Sequence, residues 1–265
     1  MRLLLQSPLV KSSDPEVSKL STALIEKEVK LVKRSDTEVV RKHIDRGISS
    51  LDHHGYPGLR YLNDFEILKS MIQAEKEGFD AVISACWFDP GIEAAKQLLR
   101  IPVVGSAESS MHLACMLAFK FAIVTNSPKY IPHMEELVEH YRMSDSVIGR
   151  KPVRSLTLSG PEIMHCFKGN YNPIIQNFQE VTKGCIDDGA EVVIIGCGLL
   201  SPMLSTSGIQ YVDDVPLIDP ILVGIKVAEM MVDLHKAGIP TVSRKGLYFV
   251  PPYEDIETVL KLISK

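Results

Sequence analysis

The sequence predicts an α/β protein of two similar lobes, with its site in the cleft between them. Three observations carry that prediction: short apolar runs alternate with helical patterns, one segment occurs twice, and each copy is followed by a helix-start signal. Alternating strands and helices build parallel sheets with crossover helices. The repeated segments are Asp80-Ala81-Val82-Ile83-Ser84-Ala85-Cys86 and Glu191-Val192-Val193-Ile194-Ile195-Gly196-Cys197. Each has the length of a buried parallel strand. Each cysteine then stands at a strand's carboxyl end, where open α/β sheets place their ligands. Asp89-Pro90 and Ser201-Pro202 follow as capping residue and first-turn proline. Two copies 111 positions apart (197 − 86) suggest two sheets. Residues 1–106 with 217–265 are expected to form one lobe and 107–216 the other.

Arg2–Gln6 reads as the first strand, and Asp14 with Pro15 opens a helix to Glu28. Val29–Lys33 is the next apolar run, expected as a strand. Residues 34–62 are polar and poorly periodic. A connection of that length reads as a lid, an oligomer arm or a functional loop. Asn63–Glu77 is helical, 80–86 is the first cysteine strand, Pro90–Arg100 a helix and Pro102–Gly105 a strand. Glu108–Lys120 (helix), Phe121–Thr125 (strand) and Ile131–Tyr141 (amphipathic helix) begin the second set. Val153–Leu158 (strand), Ile174–Asp188 (helix), the 191–197 strand and a helical piece near Pro202 follow. Val215–Ile218 is a strand, and Pro220–Lys236 is the clearest helix, closed by Gly238 and Pro240. An apolar stretch at Gly246–Val250 precedes a terminal helix from about Glu254.

Composition narrows the function. Over 265 residues, 45% apolar and 23% charged side chains are those of a soluble globular protein. A net charge of −4 with no basic run points away from nucleic acid and anionic membranes. No apolar run approaches the roughly 20 residues of a membrane helix, and the apolar start ends after three leucines, too soon for a signal peptide. Five cysteines with no CxxC pair suggest neither disulfides nor zinc. The expected setting is the reducing cytoplasm. A homo-oligomer is expected, with its contact in the 34–62 segment.

Two opposed thiols suit one reaction especially well. One thiolate takes a proton from a carbon acid while the other thiol returns a proton to the opposite face, inverting a stereocentre with no cofactor or metal. Helix N-termini after Cys86 and Cys197 would ease thiol ionisation. Backbone N–H groups of Trp87, Phe88 and Gly198 would hold the enolate charge. Trp87 would also wall the pocket, and Thr125 and Asn126 would add polar contacts after their strand. Cys115, Cys166 and Cys185 read as filler. His53 and His54 read as solvent-facing residues of a Gly/Pro loop, His112 as a hydrogen-bonded core or interface residue, and Glu108 and Asp219 as helix-start acids.

Cys86-Trp87-Phe88-Asp89-Pro90-Gly91-Ile92-Glu93-Ala94-Ala95, followed by Ile101-Pro102-Val103-Val104-Gly105 and Glu108, resembles the first cysteine block of hydantoin racemases, in the aspartate/glutamate racemase superfamily. Phe121–Thr125, Ile194-Ile195-Gly196-Cys197-Gly198 and Val215-Pro216-Leu217-Ile218-Asp219-Pro220 are similar to later blocks in the same order, so the likeness spans residues 80–235. It implies a four-stranded parallel sheet flanked by helices in each lobe, and cofactor-independent 1,1-proton transfer by Cys86 and Cys197. The family's first strand usually ends in Asn-Pro-Asn-Thr-Ser. Here Gln6-Ser7-Pro8-Leu9-Val10 takes its place, leaving Ser7 as the polar contact. Amino-acid racemases typically carry Asn or Thr directly after each cysteine. Trp87 and Gly198 stand there instead, against aspartate or glutamate as substrate. The polar stretch around Gly160–Asn172 is a further departure that would reshape the cleft. The reading is a racemase or epimerase acting on a hydantoin-like small molecule. The alternatives are a cis–trans isomerase of the maleate isomerase type and a non-catalytic cleft-binding protein.

Overall fold

The computed structural model describes residues 1–156, 162, 166 and 168–263. Its strands are β1 (Arg2–Val10), β2 (Glu38–Ile44), β3 (Ala81–Ser84), β4 (Val103–Val104), β5 (Phe121–Thr125), β6 (Val153–Ser155), β7 (Val192–Ile195), β8 (Tyr211–Val212) and β9 (Val215–Ile218). The helices are α1 (Pro15–Lys30), α2 (Pro57–Lys76), α3 (Ile92–Leu98), α4 (Ser106–Leu117) and α5 (Ile131–His140). They continue with α6 (Asn172–Asp187), α7 (Leu200–Ser205), α8 (Pro220–Lys236) and α9 (Tyr253–Ile263). The first sheet has the order β2-β1-β3-β4, all parallel. The second has β6-β5-β7-β9 parallel, extended at its edge by β8 antiparallel to β9. This is the α/β architecture of two helix-flanked sheets that the alternating pattern predicts.

β7 is apolar throughout, and β3 is apolar up to its last residue, Ser84, because helices cover both faces of each sheet. The period of two sends Leu3, Leu5 and Ile83 toward α1 and α8, while Leu4 and Val82 face α2 and α3. In the second sheet, Ala122, Val124, Val193 and Ile195 pack with α6 and α7, and Phe121, Ile123, Val192 and Ile194 with α4 and α5. β9, where the expected lobe boundary at 217 falls, pairs with β7. α8 then leaves that sheet and packs Ile221, Ile225 and Ala228 against the first. The Asp219 carboxylate caps α8, accepting from the N–H groups of Ile221 (2.8 Å) and Leu222 (3.1 Å).

The first lobe departs from expectation at its second strand. Val29–Lys33 is no strand: α1 continues to Lys30 and then turns, and Val29 is buried with Leu3 and Leu5. The strand is β2, whose residues are only half-buried because it is the sheet's edge. The 34–62 segment therefore holds β2, a 3-10 turn at Leu51–Gly55 and the start of α2 at Pro57 rather than Asn63. α4 likewise starts earlier than expected and stops at Leu117. The expected strand over Val153–Leu158 is described only through β6 and Leu156, and residues 157–158 lie outside the described residues. Within the 160–172 stretch, residues 160, 161, 163–165 and 167 lie outside them as well. Among the described residues no helix is long and apolar enough to cross a membrane.

Candidate active site

Both cysteines reach one cavity of about 110 Å³ between the sheets. Cys86 enters it from the turn after β3, and Cys197 from the turn after β7. The Cys86 N–H donates to the Ser84 hydroxyl (3.2 Å), which in turn donates to the Cys86 carbonyl (3.0 Å). Around Cys197, the Gly196 N–H donates to Val124 O (2.8 Å), so β7 stays in register with β5 up to the cysteine. A Cβ on Gly198 would stand 2.3 Å from the Ala85 carbonyl oxygen. The bare glycine thus lets the two cysteine turns touch across the lobes. Gly196 is nearly as confined, with Ile123 Cγ2 at 2.5 Å from the same construction.

The expected easing of thiol ionisation is overturned. Burial pushes the pKa of Cys86 up, and the nearby Cys197, Asp89 and Asp64 push it further. Burial likewise raises Cys197. Backbone donors oppose burial without overcoming it: Phe88 N–H for Cys86, and Leu200 and Leu199 N–H for Cys197. The Leu199 N–H lies 3.4 Å from the Cys197 sulfur. Desolvation wins because the thiolate loses bulk water, whereas the segments after the two cysteines return only one or two N–H groups to each sulfur.

The helix-start residues also serve differently from expectation. Asp89 does not cap α3, whose N-cap is Gly91 in the left-handed region at φ 70°. Its own φ is +46°, and its buried carboxylate instead accepts from Ala107 N–H (3.1 Å), Glu108 N–H (3.0 Å) and the Tyr141 hydroxyl (2.9 Å). It therefore caps α4 and ties the Cys86 turn to the second lobe. A Cβ on Gly105 would fall 2.3 Å from this carboxylate. Burial raises the Asp89 pKa to about 7. Ser201 lies inside α7 with its hydroxyl buried, and does not cap it.

Of the predicted contacts, Ser7, Trp87, Phe88 and Gly198 line the cavity with the cysteines. Ser7 does so because β1 runs on to Val10, past the predicted end at Gln6. The Trp87 indole N–H donates to Ser110 Oγ (3.2 Å). Phe88 meets Tyr130 and His133 edge-on, with ring centroids 5.2 and 4.9 Å away. Thr125 and Asn126 are not among the lining residues: the buried Thr125 hydroxyl donates to Gly196 O (3.2 Å) and steadies the end of β7. Phe88, Leu199 and Leu200 N–H groups bear on sulfur rather than standing free for an enolate, so Trp87 and Gly198 remain from the expected donor set.

Among the lining residues that the sequence reading missed are His54, Arg41 and Tyr130. His54 is only 4% exposed, not solvent-facing, and Nε2 has no hydrogen-bond partner. Burial first, then Arg60 and His53, lower its pKa to about 4. Arg41 brings a guanidinium from β2, and Tyr130 brings an aromatic wall. The sequence held no clear signal for the arginine, because Glu38-Val39-Val40-Arg41-Lys42-His43-Ile44 does not alternate between apolar and polar residues. His53 is exposed as expected; His112, expected as a core or interface residue, is exposed on α4 rather than in the core, with Nδ1 2.7 Å from Glu108 O. All five cysteines are free, and Cys115 is exposed while Cys166 and Cys185 are core. Among the described residues, no group of three or more His, Cys, Asp or Glu is placed to hold a metal ion.

Against known proteins, the profile of the Asp/Glu/Hydantoin racemase family matches residues 20–228. The chain is 32% identical over 228 residues to hydantoin racemase of Pseudomonas sp. (strain NS671), covering 86% of this chain and 87% of that protein. It is 28% identical over 185 residues to hydantoin racemase of Rhizobium meliloti, covering 70% and 72%. Allantoin racemase from Klebsiella pneumoniae superposes with a TM-score of 0.74 at 23% identity, over 95% of this chain and 94% of that one. Glutamate racemase from Thermus thermophilus does so with 0.53 at 14% identity, over 92% and 84%. At these identities the structural likenesses speak for the fold alone.

Proposed function

The chain belongs to the Asp/Glu/hydantoin racemase family, and from that premise we propose that it inverts a stereocentre of a cyclic, hydantoin-like carbon acid without a cofactor. Cys86 and Cys197 are the two bases. One thiolate takes the proton from the reacting carbon, leaving a planar enolate, and the opposed thiol gives its proton to the other face. The negative charge thereby passes from one sulfur to the other, and no other reactant is consumed. Phe88 N–H on one side, and Leu199 and Leu200 N–H on the other, stabilise each sulfur in turn as the thiolate.

One observation carries this reading: equivalent turns after β3 and β7 bring both thiols to the same cavity. The lining supports the substrate class. It includes no Asp or Glu, so the ammonium of a free α-amino acid would be buried there without a counter-ion, at a cost of several kcal/mol. An acylated or ring-closed nitrogen carries no such charge.

The test is proton exchange in heavy water with single-enantiomer 5-substituted hydantoins, following optical rotation and deuterium together. Loss of rotation with one deuterium gained, abolished by Cys86→Ser and by Cys197→Ser, is the expected result. Loss of rotation that persists in either variant would refute the two-thiol mechanism.

A further inference from the structure

Arg41 is the least satisfied polar group in the molecule's cleft. Its Nε and Nη1 are buried and have no hydrogen-bond partner among the described residues. Buried charges are ordinarily paired, because an unpaired ion forfeits its hydration without compensation. The carboxyl group that bears on Arg41 is Glu28 of α1. Glu28 is fully buried, and burial with the neighbouring Asp219 holds its pKa well above the usual carboxylate range. Among the described residues, neither Glu28 carboxyl oxygen has a hydrogen-bond partner, so Glu28 makes no hydrogen bond to the guanidinium.

The rest of the wall adds no negative charge. His54 is neutral there, Ser7 and Ser21 are hydroxyls, and the remaining surface is largely aliphatic and aromatic. Arg41 stands across from Leu5 in the β1–β2 register, beside the α1 residues Ser21, Leu24 and Ile25 that line the same cavity. The charges that bear on Cys86 are instead Cys197, Asp89 and Asp64. Arg41 enters the cavity from the β2–α1 side, whereas the two cysteines enter from the turns after β3 and β7.

We infer that Arg41 makes the cavity selective for carbon acids that carry a carboxylate on the substituent, the planar guanidinium taking the two carboxylate oxygens. A fork of parallel N–H donors matches a carboxylate better than any single carbonyl. This rests on the racemase reading for the place of the reacting carbon, and it adds to that reading the chemistry of the arm.

The experiment compares 5-(2-carboxyethyl)hydantoin with its uncharged carbamoylethyl analogue, in wild type, Arg41→Met and Arg41→Lys. The readout is the ratio of the two kcat/KM values for deuterium exchange. Wild type is expected to favour the carboxylate by about 10- to 100-fold, the worth of a charge-assisted hydrogen bond. Arg41→Met is expected to bring the ratio near unity, and Arg41→Lys to keep part of it. Thermal unfolding of both variants establishes that each is folded. A wild-type ratio near one, or a ratio that stays within twofold in folded Arg41→Met, overturns the inference. Exchange with neither compound overturns the racemase reading instead. Calorimetric binding of the two compounds to wild type and Arg41→Met then decides the carboxylate selectivity separately.

Discussion

Gly198→Ala is the sharpest perturbation of the two-lobed cleft. The new methyl group would stand 2.3 Å from the Ala85 carbonyl oxygen, a backbone atom that cannot rotate away. Real Cβ contacts essentially never fall below 3.0 Å, so the two cysteine turns must part by roughly 0.7 Å at least. Ala85 precedes Cys86 and Gly198 follows Cys197, so the displacement enters directly into the spacing of the two sulfurs. A shift near 1 Å in a reacting geometry costs on the order of 100-fold in rate. We expect Gly198→Ala to lose about 10- to 100-fold in kcat/KM for the proposed racemisation of a hydantoin, with deuterium exchange reduced in parallel. Gly149→Ala, at an exposed position with nothing within 4 Å, is the control and should retain its rate. Polarimetry and exchange in heavy water measure both, and thermal unfolding establishes that the variants are folded. A folded Gly198→Ala enzyme within twofold of wild type would refute the argument that contact between the turns sets the catalytic gap.

Two further outcomes follow from the buried titrating groups. Burial raises both thiols, and the proposed reaction needs one of them ionised. We therefore expect kcat/KM to rise with pH to beyond about 8.5, the ordinary thiol value; a plateau reached below pH 7.5 would contradict this. Asp64 has its pKa raised by burial to about 6, with Arg60 opposing. Between about 4 and 6 the folded protein holds a proton that the unfolded chain has released. Its contribution to stability is therefore present below about pH 4 and is lost as pH rises through 6. Asp64→Asn should gain on wild type by about 2 kcal/mol between pH 4 and pH 7.5 in urea unfolding. A difference independent of pH would refute it.

Much of the framework is written in local patterns. β3 and β7 announce themselves as short Val/Ile runs ending in cysteine, because a strand covered on both faces needs apolar residues throughout. The repeat placed Cys86 and Cys197 at equivalent turns, and Asp219-Pro220 marked the start of α8. β2 escaped notice because an edge strand is only half-buried and its residues need not be apolar.

What the chain alone settled was the alternation of strands and helices apart from β2 and β8, the two sheets and the pair of thiols, all of which depend on residues close together in sequence. Tertiary structure decided the rest. Gly198 meets Ala85 across 113 positions (198 − 85), and Asp89 finds its partners at Ala107, Glu108 and Tyr141. Arg41 and His54 come to the cavity from a segment that looks like a polar connection. Thiol ionisation turned against the local expectation for the same reason. A helix terminus can be read from a few neighbouring residues, whereas the loss of solvent around a sulfur depends on everything packed over it.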